Sequence, residues 1–160
     1  MASQDQNTRG QVRIAVAISP ENVDAGGEMT LRAQAACTPV CDLRGHSLVV
    51  NDQTGTEMGR LVLTEFAHER NESAPLVVQA PRMAGDYVWS VISPGLSKDG
   101  MSFEEASKAI ALKVKPHATR VLAWGAPSTI IAGEKFKMTI GIKCSSECPF
   151  ARRSFLVYDH

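Results

Sequence analysis

Four cysteines carry the chemistry this sequence offers, and they come as two pairs at one spacing: Cys37-Thr38-Pro39-Val40-Cys41 and Cys144-Ser145-Ser146-Glu147-Cys148. A five-residue loop with Pro39 inside it brings its ends within the short Cα separation that a disulfide needs. Each loop is therefore expected to carry a local clamp. Closing so small a loop removes little entropy from the unfolded chain, so the clamp should rigidify the loop more than it stabilises the fold. Two other chemistries compete. In a reducing compartment all four would be free thiols. Cys37, Cys41 and His46 would also offer three ligands to zinc or copper, but Arg153 stands where the second pair needs its histidine. The disulfide leads, free thiols follow, and no residue is assigned to a metal or to any other cofactor. Redox catalysis is set aside, since no helix N-terminus or βαβ pattern accompanies the loops.

The remaining chemical candidates have plainer readings. Asn51-Asp52-Gln53-Thr54-Gly55 lacks the later bidentate acid of a calcium loop and reads as a hairpin turn. His68-Glu69-Arg70 has no second histidine at zinc-protease spacing and reads as a solvated loop. Asn71-Glu72-Ser73 fits the glycosylation sequon, which arises often by chance. With neither a Gly-x-Ser-x-Gly elbow nor a phosphate-binding glycine loop, the chain is expected not to be an enzyme. Seventeen basic residues balance seventeen acidic ones, which argues against nucleic acid as a partner. No window approaches the ~18 apolar residues of a membrane span. Residues 1–10 are polar, with no apolar core of a secretory signal, and read as a disordered tail.

The elements that must position the cysteines emerge from a repeat. At a shift of 107 residues, Cys37 and Cys41 lie over Cys144 and Cys148, Pro20 over Pro127, and Val23–Leu31 over Ile130–Met138. Ser47–Asp52 falls on Ser154–Asp159, after which the chain ends. A period this long suits tandem sandwich domains, not a solenoid. Short runs rich in Val, Ile, Leu and Thr, broken by Gly, Pro, Asn and Asp, predict seven strands over 11–18, 28–36, 46–50, 59–66, 74–79, 86–92 and 109–115. Alternation is clearest in Val12, Ile14, Val16, Ile18 and in Met29, Leu31, Ala33, Ala35. Only 101–108 looks helical, as one short turn.

Gly85-Asp86-Tyr87-Val88-Trp89-Ser90-Val91 resembles strand F of immunoglobulin-like sandwiches, where a Gly and a Tyr precede an inward aromatic residue or Cys. The resemblance implies that Tyr87 fixes a corner through its hydroxyl and that Trp89 fills the core. It also implies an all-β fold: an antiparallel sandwich of about seven strands over 11–116, then a partial second copy of about three strands over 119–160. The antibody subclass is excluded, because Trp89 stands where the intersheet cysteine would be. What the chain is similar to is a bacterial tandem immunoglobulin-like or fibronectin-III-like module. Trp124 is expected to fill the core of the second copy.

The leading expectation is a non-enzymatic binding or spacer module of a multidomain bacterial protein, periplasmic or extracellular, with a cytoplasmic home as the alternative. Its protein or glycan partner would meet loops at one end, namely Thr38, Pro39 and Val40 together with Leu96, Ser97, Lys98 and Asp99. The runner-up is a cytosolic thiol or metal-handling protein using both Cys-x3-Cys loops. About three strands leave open edges, so either the polypeptide continues past His160 or it borrows strands from a second copy as a homo-oligomer.

Overall fold

The computed structural model describes residues 8–146, 148, 149, 154, 156 and 158. The chain divides into two compact units, Met1–Lys115 and Pro116–His160. Among the described residues every regular element is a strand. No helix is long and apolar enough to cross a membrane.

The first unit holds β1 (Thr8–Ser19), β2 (Asn22–Asp24), β3 (Glu28–Thr38), β4 (Ser47–Asn51), β5 (Glu57–Ala67), β6 (Arg70–Ser73), β7 (Leu76–Gln79), β8 (Gly85–Ser93), β9 (Leu96–Lys98), β10 (Met101–Phe103) and β11 (Ala106–Lys115). They form one mixed sheet in the order β2-β11-β8-β4-β5-β6-β3-β1-β10-β9, with β7 also on β3. The sheet folds over at β5. The first part of that strand pairs with β4 up to Val62↔Ser47, and from Leu63 onward it pairs with β6. A register shift between Leu63 and Glu65 marks the change of partner, as a bulge that bends a strand would. The fold is therefore all-β, a curled mixed sheet of eleven strands where about seven were expected from the sequence.

Period-two alternation explains which side is buried. Along β3, Met29, Leu31, Ala33, Ala35 and Cys37 face inward, and the residues between them are more exposed. Trp89 and Val91 of β8, Leu48 and Val50 of β4, and Leu61 and Leu63 of β5 complete the core with Phe103. Each such burial contributes about 1.5–3 kcal/mol of transfer free energy. β3 loses its ladder partner between β6 and β7, where Pro75 has no N–H to give. There the Ser73 hydroxyl accepts the Ala33 N–H at 2.9 Å, so no buried donor is orphaned.

Three local expectations change. The helical turn over 101–108 is absent: β10 and β11 occupy it, separated by Glu104 and Glu105. The cause is the Asp99-Gly100 pair, whose φ angles of 52° and 74° turn β9 back onto β10 with Lys98 opposite Met101. His68 and Glu69, with φ of 49° and 62°, likewise make a tight hairpin turn between β5 and β6. Thr8–Gly10, assigned to a disordered tail, belong to β1 and pair in parallel with β10. Residues 1–7 of that tail lie outside the described residues.

In the second unit β12 (Thr119–Trp124) and β13 (Thr139–Cys144) pair antiparallel from Thr119↔Cys144 to Trp124↔Thr139. The third strand expected there, Ser154–Asp159, lies outside the described residues except for Ser154, Leu156 and Tyr158. Trp124 does not fill a core: it is 53% exposed, with its indole lying across Gly141. Val121, Leu122, Ile130, Ile131 and Phe136 are exposed as well. A two-stranded hairpin this bare is marginal on its own in water.

Candidate functional site

The two Cys-x3-Cys loops reach different chemical states. Cys37 ends the buried face of β3 and is disulfide-bonded to Cys41, their Cα atoms 5.6 Å apart and both residues buried. The loop it closes is seated on Asn71. That side chain is fully buried: its carbonyl oxygen accepts the Leu43 N–H at 2.6 Å, and its amide donates to Cys41 O at 3.0 Å and Ala35 O at 3.3 Å. Asn71 is thus a structural bracket beneath the loop, and its sequon is closed to glycosylation.

His46, offered as a third ligand beside Cys37 and Cys41, turns instead to Ser93, with Nε2 3.0 Å from the buried hydroxyl. Burial lowers its pKa, so the neutral ring is favoured. With both sulfurs joined and the imidazole engaged elsewhere, this trio is not a metal site.

Thr38, Pro39 and Val40 are exposed at the tip of the same loop, with the Thr38–Pro39 peptide cis. Leu96, Ser97 and Lys98 are strand β9, not loop, and Leu96 packs against the core. Only Asp99 is in a turn. The Lys98 ammonium donates to the backbone carbonyl of Asp42, which ties the β9–β10 hairpin to the disulfide loop at one end of the unit. Asp42 also pairs with Arg44, Oδ2 to Nη2 at 2.7 Å. Hydrogen bonds from the Arg44 side chain and backbone, more than its charge, hold the Asp42 carboxyl at about 2.

At the other end of β8, the Tyr87 hydroxyl donates to Met83 O at 2.8 Å, closing a corner from Met83 to Tyr87. Trp89 is buried, and its Nε1–H donates to Gln53 Oε1 at 3.1 Å. Asp52 caps the intervening turn: Oδ1 accepts from Thr54 N at 2.8 Å, Thr54 Oγ1 at 2.6 Å and Thr56 N at 2.9 Å. The Thr54 hydroxyl bond is the main reason its pKa is lowered.

In the second unit Cys144 and Cys148 are not bonded to each other; their sulfurs stand 3.0 Å apart. His117 Nδ1 lies 2.8 Å from the Cys148 sulfur, and the three ligand atoms all fall within 4.8 Å of one another. The hydrogen bond between the two side chains favours thiolate at Cys144, lowering it to about 7, and thiol at Cys148, which is raised. Reciprocal bonds hold the histidine's strand beside the loop: Ser145 N to Ala118 O at 3.0 Å, and Ala118 N to Ser145 Oγ at 3.1 Å. Sequence reading named both cysteines and missed His117. The signal was available in the repeat, since a residue two positions before the partner of Cys144 must lie near that strand's end.

No family model, curated protein or solved structure matches this chain.

Proposed function

We propose that this chain is a non-enzymatic immunoglobulin-like module that binds a partner or spaces its neighbours, presenting loops at one end of a sandwich. The observation that carries the reading is the Lys98–Asp42 bond, which joins the β9–β10 hairpin to the disulfide-closed Thr38–Val40 tip as one braced surface. Three features support the immunoglobulin-like assignment. The Tyr87–Met83 corner has the geometry of that family's conserved tyrosine. Trp89 occupies the core, and β2 runs parallel to β11 beside β8 and β4 while β1 pairs with β3.

The tandem reading rests on register. Val12 faces Cys37 as Thr119 faces Cys144, and Ala17 faces Arg32 as Trp124 faces Thr139, so one shift relates both pairs of strands. On this reading residues 119–160 repeat the opening strands of the first unit. The disulfide favours a periplasmic or extracellular setting for a bacterial module. The rival, a thiol or metal-handling protein using both loops, draws support from the second loop alone.

A photo-crosslinking side chain at Ser97 or Val40, compared with one at exposed Met83 beyond the opposite end of β8, tests the placement in living cells. Adducts from Ser97 and Val40 are expected. Adducts from Met83 alone, or from none of the three, would overturn it.

A further inference from the structure

We propose that His117 Nδ1, Cys144 Sγ and Cys148 Sγ form a zinc(II) site in the second unit, with the fourth tetrahedral position filled by water. The claim stands apart from the binding-module reading and is carried by geometry. The two sulfurs are 3.0 Å apart, the nitrogen is 2.8 Å from one of them, and no pair of ligand atoms exceeds 4.8 Å. Zinc bonds of about 2.3 Å to sulfur and about 2.0 Å to nitrogen place tetrahedral ligands about 3.6–3.8 Å apart. The two short pairs therefore need to open by less than about 1 Å and the third, within 4.8 Å, to close by at most about 1.2 Å to admit the ion, a rotamer-scale adjustment.

The donor set suits the metal. Two thiolates and an imidazole are ligands for a borderline-soft, tetrahedral ion, and three protein ligands leave one position for solvent. Binding is balanced without any redox partner: zinc(II) replaces the two thiol protons, which pass to solvent, and neutral His117 donates its Nδ1 lone pair with the ring proton on Nε2. Both sulfurs then sit in metal bonds and are withheld from oxidation.

The first unit shows why its own cysteine pair has no such fate. The position matching His117 is Gly10, and the Phe103 ring lies so close over it that a Cβ there would come within 2.2 Å of Phe103 Cε1. No third ligand can stand beside Cys37 and Cys41, whose sulfurs are joined to each other. In the second unit the ladder end at Thr119↔Cys144 and the Ala118–Ser145 bonds place an imidazole in that position. Cys144 is buried at its foot.

The test uses the full chain, purified without chelator and titrated with zinc sulfate. One zinc per chain is expected by native mass spectrometry and elemental analysis. Zinc should protect Cys144 and Cys148 from N-ethylmaleimide, read peptide by peptide in the unsubstituted protein, and cobalt(II) should give thiolate charge-transfer and tetrahedral visible bands. His117→Ala should weaken affinity by more than the ~10–100-fold that loss of an outer-shell partner causes. Cys37→Ser/Cys41→Ser should keep one equivalent. Absence of zinc uptake, equal affinity in His117→Ala, copper(I) bound where zinc is not, or a Cys144–Cys148 disulfide that resists zinc would each overturn the site.

Discussion

The two Cys-x3-Cys loops share a spacing and a strand register, yet one is a crosslink laid on a core and the other a dithiol at the open end of a hairpin. Neighbours make the difference. Beneath Cys37 and Cys41 lie Asn71, Leu43 and the packed face of β3, and the place beside them is closed by Phe103 over Gly10. Beside Cys144 and Cys148 stands His117, while β12, the strand paired with that of Cys144, leaves its apolar residues in water. The same local sequence element is thus structural where burial supplies its partners, and chemically available where a histidine does.

Several perturbations would sharpen or break that contrast. The tryptophans should differ most. Trp89→Ala, which empties a core site, should cost about 3–5 kcal/mol in urea unfolding, against under ~1 kcal/mol for exposed Trp124→Ala. Asn71→Ala strips three buried hydrogen bonds from the first loop and should cost about 2–4 kcal/mol by the same assay. A loss below 0.5 kcal/mol would mean the loop is not seated as described, by the usual scale of surface substitutions. Cys37→Ser/Cys41→Ser should cost about 2 kcal/mol, the chain-entropy value for so short a loop. The protein should remain folded by circular dichroism.

The smallest effect is one of pH. Burial lowers the pKa of His46 in the folded protein, so its contribution is fully present above the unfolded value of 6.5 and is lost as pH falls below it, where the unfolded chain takes up the proton first. The ring is only partly buried, so solvent screening keeps the effect to a small fall in Tm from pH 7 to pH 5. His46→Gln should flatten that part of the profile. An unchanged slope would remove His46 from the account.

Much of the first unit was legible in advance because its longer strands alternate cleanly: Met29, Leu31, Ala33 and Ala35 could face a core only as a strand. The short strands β2, β6, β9 and β10 were missed, since three or four residues carry too little pattern to show a period. The helix expected over 101–108 came from composition, and it overlooked Asp99-Gly100, a strong hairpin signal once the flanking residues are read as strands. The structural role of Asn71 went unread because nothing in three residues reveals that its side chain meets backbone of Leu43, Cys41 and Ala35. His117 escaped because its partners are distant in sequence and meet it only through the ladder register. The ligand trio weighed and set aside, with His46, followed sequence proximity where strand pairing decides.

Peptide mapping after alkylation of the non-reduced protein, stripped of metal with a chelator beforehand, tests the central contrast most directly. Cys144 and Cys148 should carry the label, while the Cys37 and Cys41 peptides are recovered crosslinked and unlabelled. Label on all four cysteines, on none, or on the first pair alone would contradict the account.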